Sequence, residues 1–541
     1  MAGNRLFYGD NLEVLKQHIP GESVDLVYLD PPFNSARNYN VLFGRSQTHS
    51  AQDAAQIQAF GDTWVWTPVT EEQYLELIQG GLPNRTADAL SAFRTLLGEN
   101  DAMAYLVNMA PRLVELHRVL KPTGTLYLHC DPTMSHYLKV LLDSIFGAAL
   151  FRNEIIWNRT ATKGDARRKF PAVHDVILGY SKTTNAVFHP AYAEKDDAYT
   201  GRFSLDDDDG RGPYRLAPLD SPNPRPNLTY EYKGYPPPTK GWRVSLSVME
   251  QLDAEGRLAF PRSKTGRIAR KHYLAEQEGR KVGDVWTDIP PLQASSAERL
   301  GYPTQKPLPL LERIISSTTN EGDVVLDPFC GCGTTVDAAQ KLNRQWLGID
   351  VTYIAVDLIR KRLRHTYGDD IENTYNVLGI PRDRAGAFAL FSQSPFDFER
   401  WAVSLVNAQP NEKQVGDRGI DGVARFFLDG KGKNLGRILV SVKGGKSIGP
   451  QFVRDLLGTV QTQQAEMGIL ITMAEPTRGI IDAVNHAGTY THPANGQKFP
   501  KIQVVTIDQL LKGEKPNMPL TTLPYIEAKR ATQKNTDEAL F

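Results

Sequence analysis

Cysteine is scarce in this chain, which has three cysteines in 541 residues: Cys130, Cys330 and Cys332. So few cysteines exclude a disulfide-stapled scaffold and are typical of proteins in a reducing compartment. The sequence also lacks any apolar run of the ~20 residues that a membrane span needs. Its first residues lack the apolar stretch of a secretory signal. The sequence therefore predicts a cytoplasmic protein without a membrane partner.

An excess of charge of either sign is absent as well. The 62 Lys and Arg residues balance the 62 Asp and Glu residues, which gives a formal net charge of zero. This balance excludes a histone-like polycation but permits local basic surfaces, which are what nucleic-acid binding needs. At about 150 residues per domain, the length predicts three or four domains. A chain of this length can bury enough core to fold without metal or disulfide staples.

Short apolar runs and helical patterns alternate in two separate parts of the chain. In the first part, residues 23–29 (SVDLVYL) and 125–129 have the pattern of strands, with a helical pattern between them. In the later part, residues 323–326 and 345–349 have the pattern of strands on either side of a helix at 334–342. This alternation predicts an α/β fold with a parallel sheet and crossover helices.

The region between these parts, residues 184–283, has a different composition. It combines an acidic run at 206–209, a proline-rich stretch at 222–226 and basic residues from Arg257 to Lys281. Six aromatic residues are interleaved with these charges: Tyr199, Tyr214, Tyr230, Tyr232, Tyr235 and Trp242. Basic residues with interleaved aromatics are typical of nucleic-acid-binding surfaces. We therefore predict an inserted target-recognition region, with a loop-rich structural insertion as the alternative.

A glycine-rich segment, residues 327–335 (DPFCGCGTT), follows a predicted strand and opens a predicted helix. Such a turn lets backbone N–H groups approach a ligand closely. It is not a phosphate-binding loop, because no Lys-Ser or Lys-Thr pair follows the glycines. Asp350 ends the next predicted strand, where an acidic residue binds ribose hydroxyls in nucleotide-binding folds. A plain strand-to-helix turn is the alternative, and Cys330 and Cys332 lack the spacing of a zinc site.

A second motif lies early in the chain, where Asp30, Pro31, Pro32 and Phe33 follow an apolar strand. The two prolines fix the backbone and remove N–H donors. What remains is a carboxylate, exposed carbonyl acceptors and an aromatic ring. This set suits a site that holds an exocyclic amino group by its hydrogens while a planar base stacks on Phe33. For the tetrapeptide alone, an ordinary Asp-Pro turn is the alternative.

Together the motifs resemble those of the amino-group DNA methyltransferases that use S-adenosylmethionine. The catalytic motif precedes the cofactor motif and a long insertion separates them, which resembles the permuted β-type arrangement. Four ordered segments carry this resemblance over residues 4–365: the short acidic motif at Gly9 and Asp10, the catalytic DPPY/F motif at 30–33, the cofactor-side segment at 305–307 (Gln-Lys-Pro) and the cofactor FxGxG motif at 327–335.

The resemblance implies a Rossmann-like methyltransferase sheet that acts on a base flipped out of double-stranded DNA. It implies that Asp30, Pro31, Pro32 and Phe33 hold this base. It also implies that eight residues surround S-adenosylmethionine: Asp10, Lys306, Asp327, Phe329, Gly331, Gly333, Thr334 and Asp350. The reaction is an in-line displacement, which depends on positioning more than on covalent catalysis. A role in a restriction–modification or defence system follows from the same resemblance.

Further residues limit the choice of target atom and of substrate class. Asp rather than Ser before the prolines favours adenine N6, and cytosine N4 stays open. A C5-cytosine enzyme is excluded, because that class uses a nucleophilic cysteine after a proline and no Pro-Cys dipeptide occurs here. Related motifs also serve RNA amino groups and protein glutamine, so these classes stay open. The long insertion favours duplex DNA, because sequence readout needs such a module.

The C-terminal part carries a separate set of polar residues. Glu399 lies on the predicted helix 396–406, Asp421 lies in a Gly-Ile-Asp-Gly segment, and Lys443 closes a predicted strand. The region resembles the PD-(D/E)xK nucleases, particularly Mrr-like restriction domains. The resemblance implies Mg²⁺ at Asp421 and Glu399, with Lys443 beside the attacking water. Ser441 stands where those enzymes usually carry Glu or Gln, so an inactive DNA-binding or structural relative is the alternative.

These features divide the chain into five predicted regions: a catalytic methyltransferase half at 1–183, the target-recognition insertion at 184–283, a cofactor half at 284–378, a restriction-endonuclease-like α/β domain at 385–515 and a polar tail at 516–541. Double-stranded DNA is the predicted partner, and the sequence leaves a homodimer open.

Overall fold

The computed structural model describes residues 3–32, 38–43, 55–61, 64–160, 170–293, 296, 298, 305–410, 419–429, 434–445 and 448–522. Most of the predicted polar tail lies outside these residues. The chain divides into two compact units. The first unit combines Met1–His189 with Asp284–Phe541, and the second unit is Pro190–Gly283.

The elements follow one another in this order. Up to residue 189 the strands are β1 (Asn4–Tyr8), β2 (Val24–Leu29), β3 (Asn38–Phe43), β4 (Ala55–Gly61), β5 (Leu120–Cys130), β6 (Phe151–Asn158) and β7 (His174–Ser181). The helices there are α1 (Asn11–His18), α2 (Pro68–Glu76), α3 (Asn84–Leu97), α4 (Asp101–Val119) and α5 (Ser135–Phe146). The second unit contains β8 (Tyr192–Ala193), β9 (Tyr214–Pro218), β10 (Leu258–Ala259), β11 (Ala269–Tyr273), β12 (Arg280–Lys281), α6 (Asp197–Thr200) and α7 (Leu246–Ala254).

The chain then returns to the first unit. The next elements are β13 (Val285–Trp286), α8 (Leu308–Thr318), β14 (Val324–Asp327), α9 (Thr334–Lys341), β15 (Gln345–Asp350), α10 (Tyr353–Tyr367) and β16 (Tyr375–Leu378). The C-terminal strands are β17 (Gln409–Pro410), β18 (Gly422–Phe427), β19 (Leu435–Lys443), β20 (Met467–Thr472), β21 (Thr489–Thr491), β22 (Lys498–Pro500), β23 (Ile502–Thr506) and β24 (Thr521–Thr522). The C-terminal helices are α11 (Arg384–Gln393), α12 (Pro395–Leu405), α13 (Pro450–Thr462), α14 (Arg478–His486) and α15 (Ile507–Leu511). Among the described residues, no helix has both the length and the apolar character that crossing a membrane requires.

The first unit is built on a sheet that has nine strands in the described part of the chain, in the order β13-β6-β7-β5-β2-β14-β15-β1-β16. Its neighbouring strands run parallel except for β7, which is antiparallel to both β5 and β6. The predicted α/β class is confirmed, whereas the prediction of a parallel sheet is wrong at β7. The reason is that β6 and β7 are consecutive strands, and an antiparallel pair needs no crossover helix.

The centre of this sheet joins the two parts of the chain that flank the insertion. Every residue of β2 and of β14 is buried, which is typical of strands covered by helices on both faces. Leu26 pairs with Val325 and Val27 with Leu326. As a result β2, β14, β15 and β1 run parallel, and their carboxyl ends lie at the same edge of the sheet.

The second unit, Pro190–Gly283, folds around a core of its own. Eight buried residues form this core: Leu219, Tyr232, Tyr235, Trp242, Met249, Leu252, Leu258 and Ile268. Tyr232, Tyr235 and Trp242 are 7%, 5% and 1% exposed. Their rings supply much of the apolar area that stabilises this small unit, so these interleaved aromatics do not indicate a base-contacting surface.

The C-terminal region forms a second sheet, which in the described ranges has the order β17-β18-β19-β20-β23 with β24 paired to β18. Strands β19, β20 and β23 run parallel, whereas β18 is antiparallel to β19. Every residue of β20 is buried. Helix α13 connects the parallel strands β19 and β20, so these three elements form one crossover.

Candidate active site

Four carboxylates lie at one edge of the nine-stranded sheet. Asp30 follows β2, Asp327 ends β14, Asp350 ends β15, and Asp10 follows β1. All four line a single cavity of about 580 Å³. This volume lies within the range of about 300–1,000 Å³ that is usual for small-molecule sites. The fold therefore brings the predicted catalytic residue and three of the predicted cofactor-binding residues around one space.

The Asp30 carboxylate is held by Lys306. Lys306 Nζ donates to Asp30 Oδ2 over 2.5 Å, and the two side chains are 9% and 16% exposed. The other oxygen, Asp30 Oδ1, is buried and accepts no hydrogen bond from the part of the protein that the structure describes. A buried polar atom without a partner costs about 1–3 kcal/mol. Asp30 Oδ1 is therefore well placed to accept a hydrogen bond from a ligand in the cavity.

The remaining residues of the early motif differ in their positions. Pro31 is buried, and Pro32 lines the cavity. Phe33 lies outside the described residues, so its stacking role stays a prediction. Aromatic side chains of four described residues line the cavity: Tyr28, Trp64, Phe329 and Phe396. Of these, sequence analysis singled out Phe329 alone.

A buried hydrogen-bonded chain supports the catalytic side of the cavity. The Tyr28 hydroxyl lies 2.8 Å from His129 Nδ1, and His129 Nε2 lies 3.1 Å from Asp175 Oδ2. Burial raises the pKa of Tyr28, and the nearby Asp30 carboxylate adds to this effect. Burial alone would also raise the pKa of Asp175, but the hydrogen bond from His129 together with the nearby Lys306 and Arg159 charges outweighs burial and lowers that pKa. Tyr28 precedes Asp30 by two residues, a spacing that puts both side chains on the same side of an extended chain and that is visible in the sequence.

The glycine-rich turn requires left-handed backbone at two positions. Gly331 has φ 50° and Gly333 has φ 74°, a region that favours glycine. A Cβ atom at Gly333 would lie 2.7 Å from Ile359 Cγ1. The Gly331 N–H donates to Asp350 Oδ2 over 2.9 Å, which ties the turn to the end of β15. Gly331 and Thr334 line the cavity, whereas Gly333 is absent from its described lining and shapes the turn instead.

Burial changes the protonation of the carboxylates beside this turn. Burial raises the pKa of Asp327 to about 7, against the lowering effect of hydrogen bonds from Thr335 and from the Phe329 amide, and the Asp30 and Asp350 charges raise it further. Burial also raises the pKa of Asp350, although Thr352 donates two hydrogen bonds to it. A bound cation would favour the ionised form of both groups. The cavity is thus electrostatically suited to a positively charged ligand.

Arg362, which sequence analysis missed, supports the turn from α10. Its Nε donates to Asp337 Oδ2 over 2.8 Å, and the two side chains are 5% and 8% exposed. Its Nη1 donates to the Cys332 carbonyl over 3.3 Å and to Thr334 Oγ1 over 3.2 Å. The Tyr367 hydroxyl donates to Asp337 Oδ1 over 2.7 Å. The buried ion pair therefore connects α10, α9 and the glycine-rich turn.

Replacing Asp337 with alanine is expected to lower the free energy of unfolding by about 3–5 kcal/mol, because Arg362 would keep a buried charge without its partner. Lys341→Ala is the matched control on the same helix, since Lys341 is 55% exposed where it pairs with Glu312. The control should change stability by about 0–1 kcal/mol. Denaturant unfolding of both variants measures the difference, and equal stabilities would contradict the supporting role of the Arg362–Asp337 pair.

Both carboxylate oxygens of Asp10 contact other residues of the protein. Oδ1 accepts from the Leu12 N–H over 2.9 Å at the start of α1, and Oδ2 pairs with Arg112 Nη2 at 2.6 Å. Arg112 Nε also donates to Asn11 Oδ1, and Asn11 Nδ2 donates to the Pro328 carbonyl over 2.9 Å. This network links the end of β1 to the glycine-rich turn. The contact of Asp10 with a cofactor stays a prediction.

The predicted nuclease residues are arranged differently from a metal site. Asp421 Oδ2 accepts the Val442 N–H over 2.6 Å and lies 3.8 Å from Lys443 Nζ. Lys443 Nζ donates to the Val442 carbonyl over 3.0 Å. Within the described ranges, no group of three His, Cys, Asp or Glu side chains could hold a metal ion. The fold brings Asp421 and Lys443 together, but the Mg²⁺ site predicted at Asp421 and Glu399 is not supported, because the Val442 N–H and the Lys443 ammonium already contact Asp421 Oδ2.

The second unit carries six exposed basic residues between positions 225 and 267 that we call the basic surface: Arg225, Lys240, Arg243, Arg262, Lys264 and Arg267. Internal contacts hold several of them in place. Arg243 Nε donates to the Asp220 carbonyl over 2.7 Å, and Arg267 forms an ion pair with the Asp220 carboxylate. Lys264 Nζ lies 4.0 Å from the centre of the Tyr235 ring. A fixed set of exposed cations is suited to contacting the phosphates of a nucleic acid.

The sequence matches two protein families. Residues 24–361 match the family described as DNA methylase. Residues 397–512 match the family described as NACHT-associated inactive Restriction Endonuclease 1. The second match agrees with the non-cleaving alternative for the C-terminal domain and does not support an active Mrr-like nuclease.

Curated relatives include DNA-modifying enzymes of bacteria. The type II methyltransferase M.EcaI of Enterobacter cloacae is 29% identical over 379 residues, which cover 69% of this chain and 73% of that protein. The Mod subunit of the type III restriction-modification enzyme StyLTI of Salmonella typhimurium is 24% identical over 354 residues, which cover 63% of this chain and 50% of that protein. Among solved structures, the PvuII cytosine-N4-specific DNA methyltransferase aligns with 13% identity and a TM-score of 0.33, covering 70% of this chain and 95% of that one.

Proposed function

The chain belongs to the DNA methylase family, and from this premise we propose that it transfers a methyl group from S-adenosylmethionine to the N6 amino group of adenine in double-stranded DNA. We place this activity in a restriction–modification or defence system. The names of two relatives, a type II methyltransferase and a type III restriction-modification enzyme, support that assignment.

One observation carries the proposal. Asp30 Oδ1 is a buried acceptor for which the described residues offer no donor, and Asp30 lines the cavity that Gly331, Asp327 and Asp350 also line. An amino group entering this cavity would supply the missing donor. A cofactor held near the glycine-rich turn would then lie in the same cavity as the amino group.

The cavity also fits the proposed cofactor. S-adenosylmethionine, when bound, supplies a methyl group on a positively charged sulfur. The carboxylates of Asp327 and Asp350 favour a cationic ligand, and Asp350 at the end of β15 is the residue suited to ribose hydroxyls. Gly331 lines the cavity and has no side chain, which leaves room for close approach of the ligand. These residues would bind and orient the cofactor.

Asp30 and Lys306 act on the target base. Lys306 Nζ donates to Asp30 Oδ2 over 2.5 Å. The Asp30 carboxylate therefore keeps its orientation while its Oδ1 accepts a hydrogen bond from the target amino group. The amino nitrogen gains positive charge as it is methylated. A fixed carboxylate stabilises charge that develops in the transition state more than charge in the ground state. Pro32 and Tyr28 also line this cavity.

Transfer of a tritiated methyl group to three substrates tests the substrate class. We expect label in duplex DNA and none in RNA or in protein. DNA is favoured because the basic surface offers exposed cations for a duplex backbone. Label in RNA or in a protein glutamine, with none in DNA, would contradict the proposal.

Cofactor affinity should depend on pH through Asp327, whose pKa is about 7 because of its burial. A cationic ligand prefers the ionised carboxylate, so binding must expel the proton at a pH below this pKa. We expect the affinity for S-adenosylmethionine to fall about tenfold for each pH unit below 7 and to level off above it. Calorimetry at several pH values measures this dependence. Asp327→Asn should bind more weakly at neutral pH and show a flatter profile, and an unchanged slope in that variant would contradict the assignment.

We propose that the C-terminal domain does not cleave DNA. The contacts of Asp421 with Val442 and Lys443 and the match to an inactive family support this proposal. Plasmid incubated with the protein and Mg²⁺ should stay supercoiled, and Asp421→Ala should behave in the same way. Nicking by the native protein that Asp421→Ala abolishes would contradict it.

A further inference from the structure

The cavity is lined in part by residues from outside the DNA methylase match. That match ends at residue 361, yet Phe396, Asp397 and Arg400 line the same cavity as Asp30 and Asp350. All three lie on α12, and the match to the inactive-endonuclease family begins within this helix, at residue 397. A helix of one domain therefore supplies part of the wall of the other domain's site.

The position of α12 is fixed by a buried face and by a cap. Phe398, Trp401 and Ala402, at helical spacing, are buried in a core that also contains Tyr353, the first residue of α10. At the start of the helix, the Ser394 hydroxyl donates to Asp397 Oδ2 over 2.8 Å. The apolar side of α12 thus packs into the core of the C-terminal domain, which Tyr353 of the methyltransferase region joins, while Phe396 and Arg400 line the cavity.

This helix lies at the Asp350 end of the cavity. Tyr8 is opposite Asp350 in the pairing of β1 with β15. Burial and the nearby Asp397 carboxylate raise the pKa of Tyr8, and the Tyr8 ring centre lies 6.1 Å from that of Tyr353. The residues of α12 are consequently neighbours of the strand end that carries the carboxylate suited to ribose hydroxyls.

Phe396 has the chemistry of a nucleobase contact. Its ring lines the cavity, and the Arg400 guanidinium lies 3.8 Å from the ring centre. The cation on the ring holds it in one orientation, and an aromatic ring beside a ribose-binding carboxylate is suited to stacking on a purine. Base–aromatic stacking contributes about 1–3 kcal/mol, judged by alanine substitution.

We propose that α12 of the C-terminal domain is a cofactor-binding element, in which Phe396 contacts the adenine ring of S-adenosylmethionine and Arg400 and Asp397 hold that ring contact in place. This inference rests on the proposed function, because it takes S-adenosylmethionine as the ligand. It assigns the endonuclease-like domain a role within the methyltransferase site, independent of any action on DNA.

The test uses the full chain and three ligands: S-adenosylmethionine, S-adenosylhomocysteine and 5′-methylthioadenosine. Phe396→Ala should weaken all three by about 5- to 150-fold in calorimetry, the range that stacking predicts. Methylthioadenosine lacks the amino-acid part of the cofactor. Weaker binding of this ligand to Phe396→Ala would therefore locate the contact at the nucleoside. Phe396→Tyr should restore binding. In turnover assays, Phe396→Ala should raise KM for S-adenosylmethionine while KM for DNA and kcat at saturating cofactor stay unchanged.

Phe388→Ala is the matched control, because Phe388 lies on the preceding helix α11, is 42% exposed and does not line the cavity. It should bind all three ligands as the native protein does. Two results would overturn the inference and leave the proposed function intact. One is equal ligand affinities of Phe396→Ala and the native protein. The other is a loss of affinity in Phe396→Ala that is confined to the two ligands that carry the amino-acid part. Failure of Phe396→Tyr to restore binding would overturn it too, because the loss would then reflect folding. Failure of the native protein to bind S-adenosylmethionine would instead contradict the proposed function.

Discussion

Replacing Asp30 with alanine is expected to lower the rate of methyl transfer by about 10²–10³-fold, the usual cost of removing one group that stabilises charge in the transition state, while cofactor affinity stays within a few-fold. The reason is the division of the cavity. Asp30 and Lys306 lie at the end of β2, whereas the residues proposed for the cofactor lie on the glycine-rich turn and at the end of β15. Single-turnover transfer and calorimetry with S-adenosylmethionine measure the two quantities.

Asp30→Asn is the control for folding, because its amide oxygen still accepts a hydrogen bond from Lys306. We expect this variant to be as stable as the native protein and to have lost most of its activity, since the carboxylate charge is what stabilises the methylated nitrogen. Weak cofactor binding with normal turnover in either variant would reverse the assignment and make Asp30 a cofactor residue.

Removing the second unit is expected to abolish discrimination between specific and random duplexes, a ratio that is typically about 10³ or more, while cofactor affinity is kept. The unit is suited to this experiment because β8 and β12 pair near its two ends, with Tyr192 opposite Lys281. A short flexible linker can therefore replace residues 190–283. Competition binding with a duplex that contains the sequence the protein methylates and with random DNA measures the ratio of specific to random affinity.

Point variants of the basic surface separate phosphate contacts from loss of the unit. Arg262→Ala should weaken binding to all duplexes about equally. It should also reduce the slope of log affinity against log salt concentration by about 1. Lys16→Ala is the matched control, because Lys16 is an exposed cation on α1 of the first unit. Unchanged discrimination after removal of the unit would locate recognition elsewhere in the chain, and unchanged salt dependence in Arg262→Ala would remove that residue from the interface.

The sequence predicted the parts of the molecule in which local pattern and chemistry coincide. The apolar runs before Asp30, Asp327 and Asp350 become adjacent parallel strands, and strand adjacency is what brings their carboxylates to one cavity. The glycines at 331 and 333 could be identified because left-handed backbone at a strand-to-helix turn requires them. The roles of these residues in binding and catalysis stay predictions.

Other parts depend on long-range packing and left no local signal. Tyr235 and Trp242 have the composition of a recognition surface, but whether a ring is exposed depends on the core it packs into. Phe396 belongs to an ordinary amphipathic helix, and its place in the cavity depends on how α12 packs against Tyr353. Lys306 was expected at the cofactor, and its pairing with Asp30 joins residues 276 positions apart.

The most direct test of the account is mass spectrometry of nucleosides from duplex DNA that has been incubated with the protein and S-adenosylmethionine bearing a labelled methyl group. The account predicts labelled N6-methyladenine with the native protein and none with Asp30→Ala. Labelled N4-methylcytosine would contradict the adenine assignment while keeping amino-group transfer. Labelled base formed equally by Asp30→Ala, or no labelled base from any duplex tested, would contradict the central claim that this cavity methylates an amino group of DNA.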